Sequence, residues 1–537
     1  FAEIQRSGTV AILEMLQIPE KEVELLVSIL TFVNTLINHD QSLQDNLCFL
    51  GLIPAVIKFA NPLYDSRLRR KAGEFLEGLC QAPAESRPTQ LMVACGGLEA
   101  LVNLVAHGYY QHSDIVFAGI RAIGRLFNCH REGGTGPEWQ HENDFCRLFA
   151  KLGLCVHLSA LVECLASDIS GHNEPKYLRM VLNLLLKFSK ADSVVKVYMV
   201  SPQVLDGLLS SLTFLDVGDQ DAVLRVMLHL CQSRDPSVLN VLENAGTIPV
   251  LVHRLHLIVM ESRGTGSYHR VSAPLMSLTN LARISKPRQE QAALAGVVPS
   301  LRVLCEEKWA MEHNLRHPAF QLLCDLVRTS NETRVILWKS RCVDYLVECL
   351  VRLVDAPKVL EAIVSWLTVG EAHTTVTANW KNRLEALLLN RDRRFINNLH
   401  HLFCSGKQNT VTKCLFHLQQ LVSASERVTE ALVTCPEFVA NLVSLLQVPL
   451  LYSGRAQAES RPKNTQTLLK ILTAMCERCP IHLSKLCATH RLPVLAKGIL
   501  RHEAQLDKDE QRVIVVRLAE DLLQVCESAD TPTFYDI

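Results

Sequence analysis

The sequence predicts an all-α solenoid, in which short helical repeats stack into a right-handed superhelix. At 537 residues the chain is too long for one compact core, yet no linker rich in Pro, Gly, Ser or charge divides it. Leu, Val and Ala dominate, aromatic residues make up 6%, and strict polar–apolar alternation is confined to short runs, which favours helices over strands. A stack of repeats lengthens without enlarging its core, so it accounts for the length of the chain. Helical repeats also account for the composition.

A recurring phrase marks one corner of each repeat. It stands as LQDNLCFLGLIPAVI from Leu43, SVLNVLENAGTIPVLV from Ser237 and RQEQAALAGVVPSL from Arg288. A short helix ends at the glycine, which adopts the left-handed cap conformation at little cost, and a second helix follows with proline in its first turn. A longer third helix closes the repeat, as in RHPAFQLLCDLVRT from Arg316.

Aligning this phrase along the chain predicts the number and type of repeats. The aligned anchors are Gly8, Gly51, Gly97, Gly153, Pro202, Gly246, Gly296, Arg341, Asn379, Glu437 and His490. Most spacings lie near the roughly 40–47 residues of armadillo and HEAT repeats, and the three-helix order favours armadillo. We therefore predict about ten to eleven armadillo repeats in a single continuous solenoid over residues 1–527, with a flexible tail at 528–537.

Charge and composition argue against several classes of protein. The 55 basic and 55 acidic residues balance, whereas proteins that bind nucleic acid or anionic membranes usually carry a basic excess. No uninterrupted apolar run reaches the roughly 18–20 residues of a membrane span. The 19 cysteines lie mostly in apolar helical runs without a preceding secretory signal. We therefore expect reduced, buried thiols in a cytosolic or nuclear protein, which we predict to be cytoplasmic, with no nucleic-acid partner and no membrane span.

The sequence carries no catalytic motif. GxxxxGK[ST], GxGxxG, HExxH and GxSxG are absent, as are the HRD, DFG and VAIK motifs of protein kinases. We predict no catalytic residue and no cofactor for this chain.

One cysteine–histidine cluster has the composition of a zinc site. The segment CERCPIHLSKLCATH contains Cys476, Cys479, His482, Cys487 and His490. A CxxC with nearby histidines can bind zinc. However, Cys476 lies in the apolar stripe of a third helix, and Cys487 stands at a core position of the recurring phrase. We therefore predict buried thiols and no metal site.

The third helices are predicted to line a groove that binds extended protein segments. Their matching positions are Thr35, Gly78, Arg125, Lys187, His229, Asn280, Asp325, Trp366, Gln420, Ala474 and Asp521. Arg121 with Arg125, and Arg225 with His229, are i,i+4 pairs on one helix face, and Lys187 lies between them. They predict a basic stripe suited to an acidic or phosphorylated segment. The alternative is that these arginines pair with local acids.

Two further candidates lie at groove positions. A regular asparagine ladder would indicate importin-α-like capture of a peptide backbone, but Asn280, in SLTNLA, is the single asparagine in the series. This argues against a nuclear-import receptor. Trp366, in EAIVSWLTVG, is either a binding hot spot or a core residue.

Four phrases resemble a known family. They are GLIPAVIKFANPLYDSRLRRKAGEFLEGLC, NDFCRLFAKLGL, DSVVKVYMVSPQVLDGLL and LTNLARISKPRQEQAALAGVVPSL. These phrases resemble the C-terminal armadillo region of MAP kinase kinase kinase epsilon, a plant family similar to the fungal septation-initiation and mitotic-exit kinases. The resemblance runs from Leu43 to Leu326 and continues more weakly to Val525.

The resemblance implies a non-catalytic, protein-binding scaffold or regulatory region of a serine/threonine kinase that acts in cytokinesis or cell-cycle signalling. We expect partners such as a small GTPase, a kinase-activator protein or a cytoskeletal component, at the spindle pole or division site. No catalytic residue is carried over, because the kinase motifs have no counterpart here. Either a kinase domain precedes Phe1 in a longer protein, or this is an armadillo-only adaptor, for example in nuclear transport.

Overall fold

Every regular element in the described part of the chain is a helix, which confirms the all-α prediction. The computed structural model describes residues 10–17, 22–39, 41–81, 87–106, 109–128, 138–167, 175–352, 354–368, 375–390, 392–451, 461–503 and 510–528. The chain forms two compact units, residues 1–281 and 282–537, here called the N-terminal and C-terminal units.

The N-terminal unit contains the first seventeen α-helices of the described ranges. They are α1 (10–15), α2 (Val23–His39), α3 (Gln41–Phe49), α4 (Leu52–Ile57), α5 (Ser66–Leu79), α6 (Arg87–Ala94), α7 (Gly97–Ala106), α8 (Ser113–Asn128), α9 (Glu138–Lys151), α10 (Leu154–Ser167), α11 (Pro175–Lys190), α12 (Ser193–Met199), α13 (Pro202–Ser211), α14 (Val217–Cys231), α15 (Pro236–Asn244), α16 (Thr247–Thr265) and α17 (Ser272–Ala282).

The C-terminal unit contains the remaining helices of the described ranges. They are α18 (Lys286–Leu294), α19 (Val297–Glu306), α20 (Lys308–Glu312), α21 (Arg316–Leu326), α22 (Asn331–Lys339), α23 (Cys342–Cys349), α24 (Ala356–Thr368), α25 (Thr375–Leu388), α26 (Arg394–Ser405), α27 (Gln408–Ala424), α28 (Glu426–Val433), α29 (Pro436–Leu451), α30 (Arg461–Arg478), α31 (Pro480–His490), α32 (Leu492–Glu503) and α33 (Glu510–Ser528).

Helices three elements apart pack side by side within each unit. In the N-terminal unit α2, α5, α8, α11 and α14 form one such series, and in the C-terminal unit α21, α24, α27, α30 and α33 form another. Each helix of these series contacts the next one, as expected of an α-solenoid. These are the helices predicted to be the third helices of the repeats, and the predicted groove positions lie on them.

Glycines form several of the predicted corners. Gly51, Gly246 and Gly296 have φ values of 102°, 68° and 90°, and each stands immediately before the second helix of its repeat. An L side chain rarely adopts this left-handed conformation, so glycine is favoured there. Arginines occupy the same kind of corner elsewhere, with φ of 51° at Arg341 and 50° at Arg491.

Some predicted anchors are displaced from the corners that the structure shows. Gly97 is the first residue of α7, and the left-handed residue is Gly96, with φ of 86°. His490 ends α31, and the left-handed residue is Arg491. A one-residue shift changes the helical pattern little, so the alignment did not resolve it.

A larger displacement occurs at Asn379. This anchor lies inside α25, and the left-handed corner is Arg393, with φ of 46°, directly before α26. The prediction of a corner at Asn379 is therefore wrong. No glycine marks the true corner, and an arginine gives no sequence signal for a left-handed backbone.

Apolar side chains and thiols fill the helix interfaces of both units. Most of the described cysteines are buried, as predicted, and all of them are free thiols. Burial raises the pKa of Cys155 to about 12, so this thiol stays protonated. No single described helix is long and apolar enough to cross a membrane, although four bent helix pairs meet the criteria of length and composition together.

Candidate protein-binding surface

The exposed faces of the packed third helices form the candidate surface, here called the third-helix surface. In the N-terminal unit it is formed by α2, α5, α8, α11 and α14, and in the C-terminal unit by α21, α24, α27, α30 and α33. The predicted residues Arg121, Arg125, Lys187, Arg225 and His229 all lie on helices of the first series.

Arg121 and Arg125 share one carboxylate. Arg121 Nε and Nη2 donate to the two carboxylate oxygens of Glu77 on α5, both at 2.9 Å. Arg121 Nη1 donates to Tyr177 Oη at 3.0 Å. Arg125 Nη2 lies 3.0 Å from Glu77 Oε1, and Arg125 Nη1 donates to the Glu77 carbonyl oxygen at 3.1 Å. The hydrogen bonds from Arg121 to Glu77 raise the pKa of Arg121.

This arrangement matches the alternative in which the arginines pair with a local acid. The Arg121 and Arg125 side chains still expose 31% and 38% of their surface, so two cations and one carboxylate leave a net positive charge there. The pairing also holds both guanidinium groups in place. Their orientation therefore costs little additional entropy when an acidic group approaches.

Lys187 and His229 contribute less positive surface than the sequence suggested. Lys187 Nζ donates to the Phe127 carbonyl oxygen at 3.3 Å and lies 5.4 Å from the centre of the Phe127 ring. Burial lowers the pKa of His229, and the neighbouring cations Lys190 and Lys196 lower it further. His229 is therefore neutral near pH 7.

Arg225 is the most accessible cation among the predicted residues. It is exposed on α14, one turn before His229, and forms no hydrogen bond or ion pair with the described part of the chain. Asn280 is partly exposed on α17, and its amide likewise has no hydrogen-bond partner among the described residues. Both side chains are available for an incoming segment.

Trp366 lies in the core of the C-terminal unit. Its side chain is 2% exposed, and its ring packs edge-to-face against Trp338 and Trp380, at centroid distances of 6.4 and 6.1 Å. The structure thus places it as a core residue, the second of the two interpretations. A large aromatic ring gains more by packing between helices than by facing solvent.

The third-helix surface of the C-terminal unit holds a cavity that sequence reasoning missed. Its volume is about 500 Å³, and it is lined by Arg328, Glu361, Val364, Ser365, Thr368, Phe416, His417, Gln419, Gln420, Ser423 and Ala424. Phe416 is 56% exposed although it is aromatic. Glu361 pairs with Arg328 and, at 3.1 Å, with Lys358. Burial lowers the pKa of His417, which keeps this side chain neutral near pH 7.

A sequence signal for this cavity was present but weak. Gln420 stands at a predicted groove position, and Phe416 lies one helical turn before it. A phenylalanine in an amphipathic helix is more often a core residue, so its exposure could not be read from the pattern.

The cysteine–histidine segment forms a thiol cluster. Cys476 and Cys479 are buried, and Cys476 and Cys487 approach Cys526 of α33. Contact with the Cys476 thiol, together with burial, raises the pKa of Cys526. Within the described ranges, no group of three or more His, Cys, Asp or Glu side chains is arranged to hold a metal ion.

Comparison with known proteins identifies relatives along almost the entire chain. "Cytokinesis protein sepH" of Aspergillus niger is 26% identical over 532 residues, which cover 98% of this chain and 36% of the relative. "Cell division control protein 7" of Schizosaccharomyces pombe is 24% identical over 531 residues, which cover 98% of this chain and 45% of the relative. "MAP3K epsilon protein kinase 1" of Arabidopsis thaliana is 31% identical over 157 residues, which cover 29% of this chain and 11% of the relative.

The chain is a relative of the MAP3K epsilon kinases. The resemblance predicted from the four phrases is therefore confirmed, together with the relationship to fungal cell-division proteins. The chain spans 36% to 45% of the length of these two fungal relatives. No family model matches the chain. An engineered protein of known structure covers 97% of this chain with a TM-score of 0.39 and 14% identity, which is too little similarity to support an argument.

Proposed function

We propose that this chain is the non-catalytic, protein-binding armadillo region of a MAP3K epsilon-like serine/threonine kinase that acts in cytokinesis or cell-cycle signalling. The observation that carries the proposal is the similarity to cytokinesis protein sepH and cell division control protein 7 over 98% of the chain. The packed series of third helices and the absence of catalytic motifs from the sequence support a role in binding.

Recognition on the N-terminal unit would begin with Arg225. Its guanidinium is exposed and can donate two parallel hydrogen bonds to a carboxylate or phosphate. Arg121 and Arg125 add positive charge but are already bonded to Glu77, so they attract an acidic segment mainly by their field. A preformed helical surface loses little entropy on binding, which favours capture of an extended or helical segment.

Recognition on the C-terminal unit would use the cavity around Phe416. An exposed aromatic side chain beside a recess is typical of a binding hot spot, and Gln419 and Gln420 can hydrogen-bond to a peptide backbone. Balanced charge at this cavity suits a segment that is less acidic than the partner of the N-terminal unit.

The proposed partners are a small GTPase, a kinase-activator protein or a cytoskeletal component, met in the cytoplasm at the spindle pole or division site. The proposed architecture is a single armadillo solenoid of about ten to eleven repeats. The parent protein would carry its kinase activity outside this chain.

An affinity pull-down with this chain, with partners identified by mass spectrometry, tests the proposal. We expect Arg225→Glu to weaken the recovered interaction by about five- to tenfold, since it replaces an attractive charge with a repulsive one. Arg234→Glu, in the exposed turn between α14 and α15, makes the same charge change away from the third helices and serves as the matched control.

Two results would contradict the proposal. Equal losses for Arg225→Glu and Arg234→Glu would show that the third-helix surface is not the binding face. Recovery of importin-β or transport cargo in place of signalling proteins would favour the armadillo-only adaptor. Arg121→Glu with Arg125→Glu should also weaken binding, but this double variant gathers three carboxylates around position 77, so its melting temperature must be measured alongside.

A further inference from the structure

The C-terminal unit buries an arginine without a hydrogen-bond partner. Arg334 lies on α22 and is 1% exposed. Its Nε, Nη1 and Nη2 atoms are all inaccessible to solvent, and none of them has an acceptor in the described part of the chain. Burial lowers the pKa of the guanidinium but leaves it charged at neutral pH.

Equivalent positions in two other repeats of the C-terminal unit show what a polar side chain does there. The serines that cap α18, α22 and α28 are each followed four residues later by a buried polar side chain, namely Gln289, Arg334 and Thr429. Gln289 donates to the Ala282 carbonyl oxygen at 2.7 Å, and Thr429 donates to the Val422 carbonyl oxygen at 3.0 Å. Both bonds satisfy the end of the preceding third helix. Arg334 makes no such bond with the described residues.

One tryptophan ring faces this guanidinium. The central carbon of the guanidinium lies 5.5 Å from the centre of the Trp366 ring. Trp338 and Trp380 both pack against Trp366, and the centroids of the Trp338 and Trp380 rings are 5.9 Å apart. The ring face attracts the positive charge, but it offers little to the N–H groups that point outward in the guanidinium plane. Trp366 Nε1 is itself buried without an acceptor among the described residues.

The other buried arginines among the described residues have partners within the chain, and Arg69 donates to the Asn103 carbonyl oxygen at 3.5 Å. Arg270 of the N-terminal unit lies 2.9 Å from Asp221 and 3.1 Å from Glu261, and Arg316 of the C-terminal unit pairs with Asp355. This is the expected pattern, because an uncompensated buried charge is strongly destabilising. Arg334 and Trp366, which are in contact through the ring face, instead leave four buried nitrogen donors without an acceptor among the described residues.

We propose that Arg334, with Trp366 Nε1, binds a small inorganic oxyanion such as phosphate or sulfate between α22 and α24. The guanidinium matches two oxygens of such an ion with parallel hydrogen bonds, and the indole N–H donates to a further oxygen. An ion that only accepts hydrogen bonds fits a group of atoms that only donate them. The bound ion would neutralise the buried charge and fix α22 against α24.

Titration of the whole chain with sodium phosphate and sodium sulfate at constant ionic strength tests this site. The Trp338, Trp366 and Trp380 cluster serves as the fluorescent probe. We expect a saturable change in emission and a melting temperature that rises by about 2 °C or more at saturation. Arg334→Met should weaken the response at least tenfold, and Trp366→Phe, which keeps an aromatic ring but lacks the N–H, should weaken it less.

Arg288→Met is the matched control. Arg288 is also buried in the C-terminal unit but has partners within the chain. Because sulfate and phosphate stabilise most proteins by exclusion from their surface, the shift in the control includes this general effect. The saturable fluorescence change should persist in Arg288→Met and be at least tenfold weaker in Arg334→Met.

Two outcomes would overturn the proposal. A wild-type chain without a saturable response excludes the site even if Arg334→Met does not fold. If Arg334→Met, or Arg334→Gln as a second variant, binds phosphate or sulfate with the same affinity as wild type, the ion binds elsewhere.

Discussion

At the residue scale, the charges of the third-helix surface are set by partners that lie far away in the sequence. Glu77 lies 44 residues before Arg121, yet its two carboxylate oxygens accept from Nε and Nη2 of Arg121 and hold Arg125 as well. Helical periodicity places the two arginines on one face, because an i,i+4 spacing is local. The same periodicity carries no information on which acid of the preceding third helix meets them.

His229 should make stability depend on pH. Its pKa in the fold lies below the ordinary value of about 6.5, so the unfolded chain binds a proton more readily than the folded one. Stability is therefore expected to fall as pH decreases through about 6.5 and below. His229→Gln should reduce this loss, measured as the melting temperature from pH 7.5 to 5.5.

The control for this experiment is His253→Gln, at an exposed position on α16. Its melting temperature is measured over the same pH range for comparison. Because the pKa of His417 is also lowered by burial, His229→Gln should remove only part of the slope. An unchanged slope in His229→Gln would contradict the interpretation that burial of this imidazole disfavours its charge.

At the element scale, the left-handed corners set where each second helix begins. Gly296, with φ of 90°, precedes α19, and a Cβ added there would meet no atom within 4 Å. Gly296→Ala is therefore expected to lower the free energy of unfolding by about 1–2 kcal/mol through backbone strain alone. Urea unfolding would measure the change, and a loss below about 0.3 kcal/mol would show that the corner tolerates a side chain.

The corner at Arg341 provides the reverse experiment. Its φ is 51°, and the side chain is exposed at the start of α23. Arg341→Gly relieves the left-handed strain but adds freedom to the unfolded chain, so we expect a net gain of about 0.5–1 kcal/mol. A loss of stability in urea unfolding would mean that the arginine side chain contributes a stabilising contact at this corner.

At the scale of the whole molecule, each helix series depends on contacts between neighbouring repeats. Leu301, on α19, is 0% exposed, so Leu301→Asp buries an unpaired carboxylate and should cost about 3 kcal/mol or more. Hydrogen exchange should show reduced protection in α18 to α22, while α2 to α8 keep theirs, since stacked repeats are coupled mainly to their neighbours.

Leu294→Asp is the control for this variant. The same substitution at a leucine that is 57% exposed on α18 should change hydrogen exchange little. If Leu301→Asp melted like wild type, the predicted register of the repeat would be wrong. Uniform loss of protection along the chain would instead show that the repeats unfold as one cooperative body.

The sequence by itself determined the helical class, the corners at Gly51, Gly246 and Gly296, and the core position of Leu301. Periodicity and helix capping are local properties of the chain, so they can be read from a few consecutive residues. Only the tertiary structure decided the pairing of Arg121 with Glu77, the burial of Trp366 and the surroundings of Arg334. Each depends on side chains that different repeats bring together, and such contacts are fixed by packing.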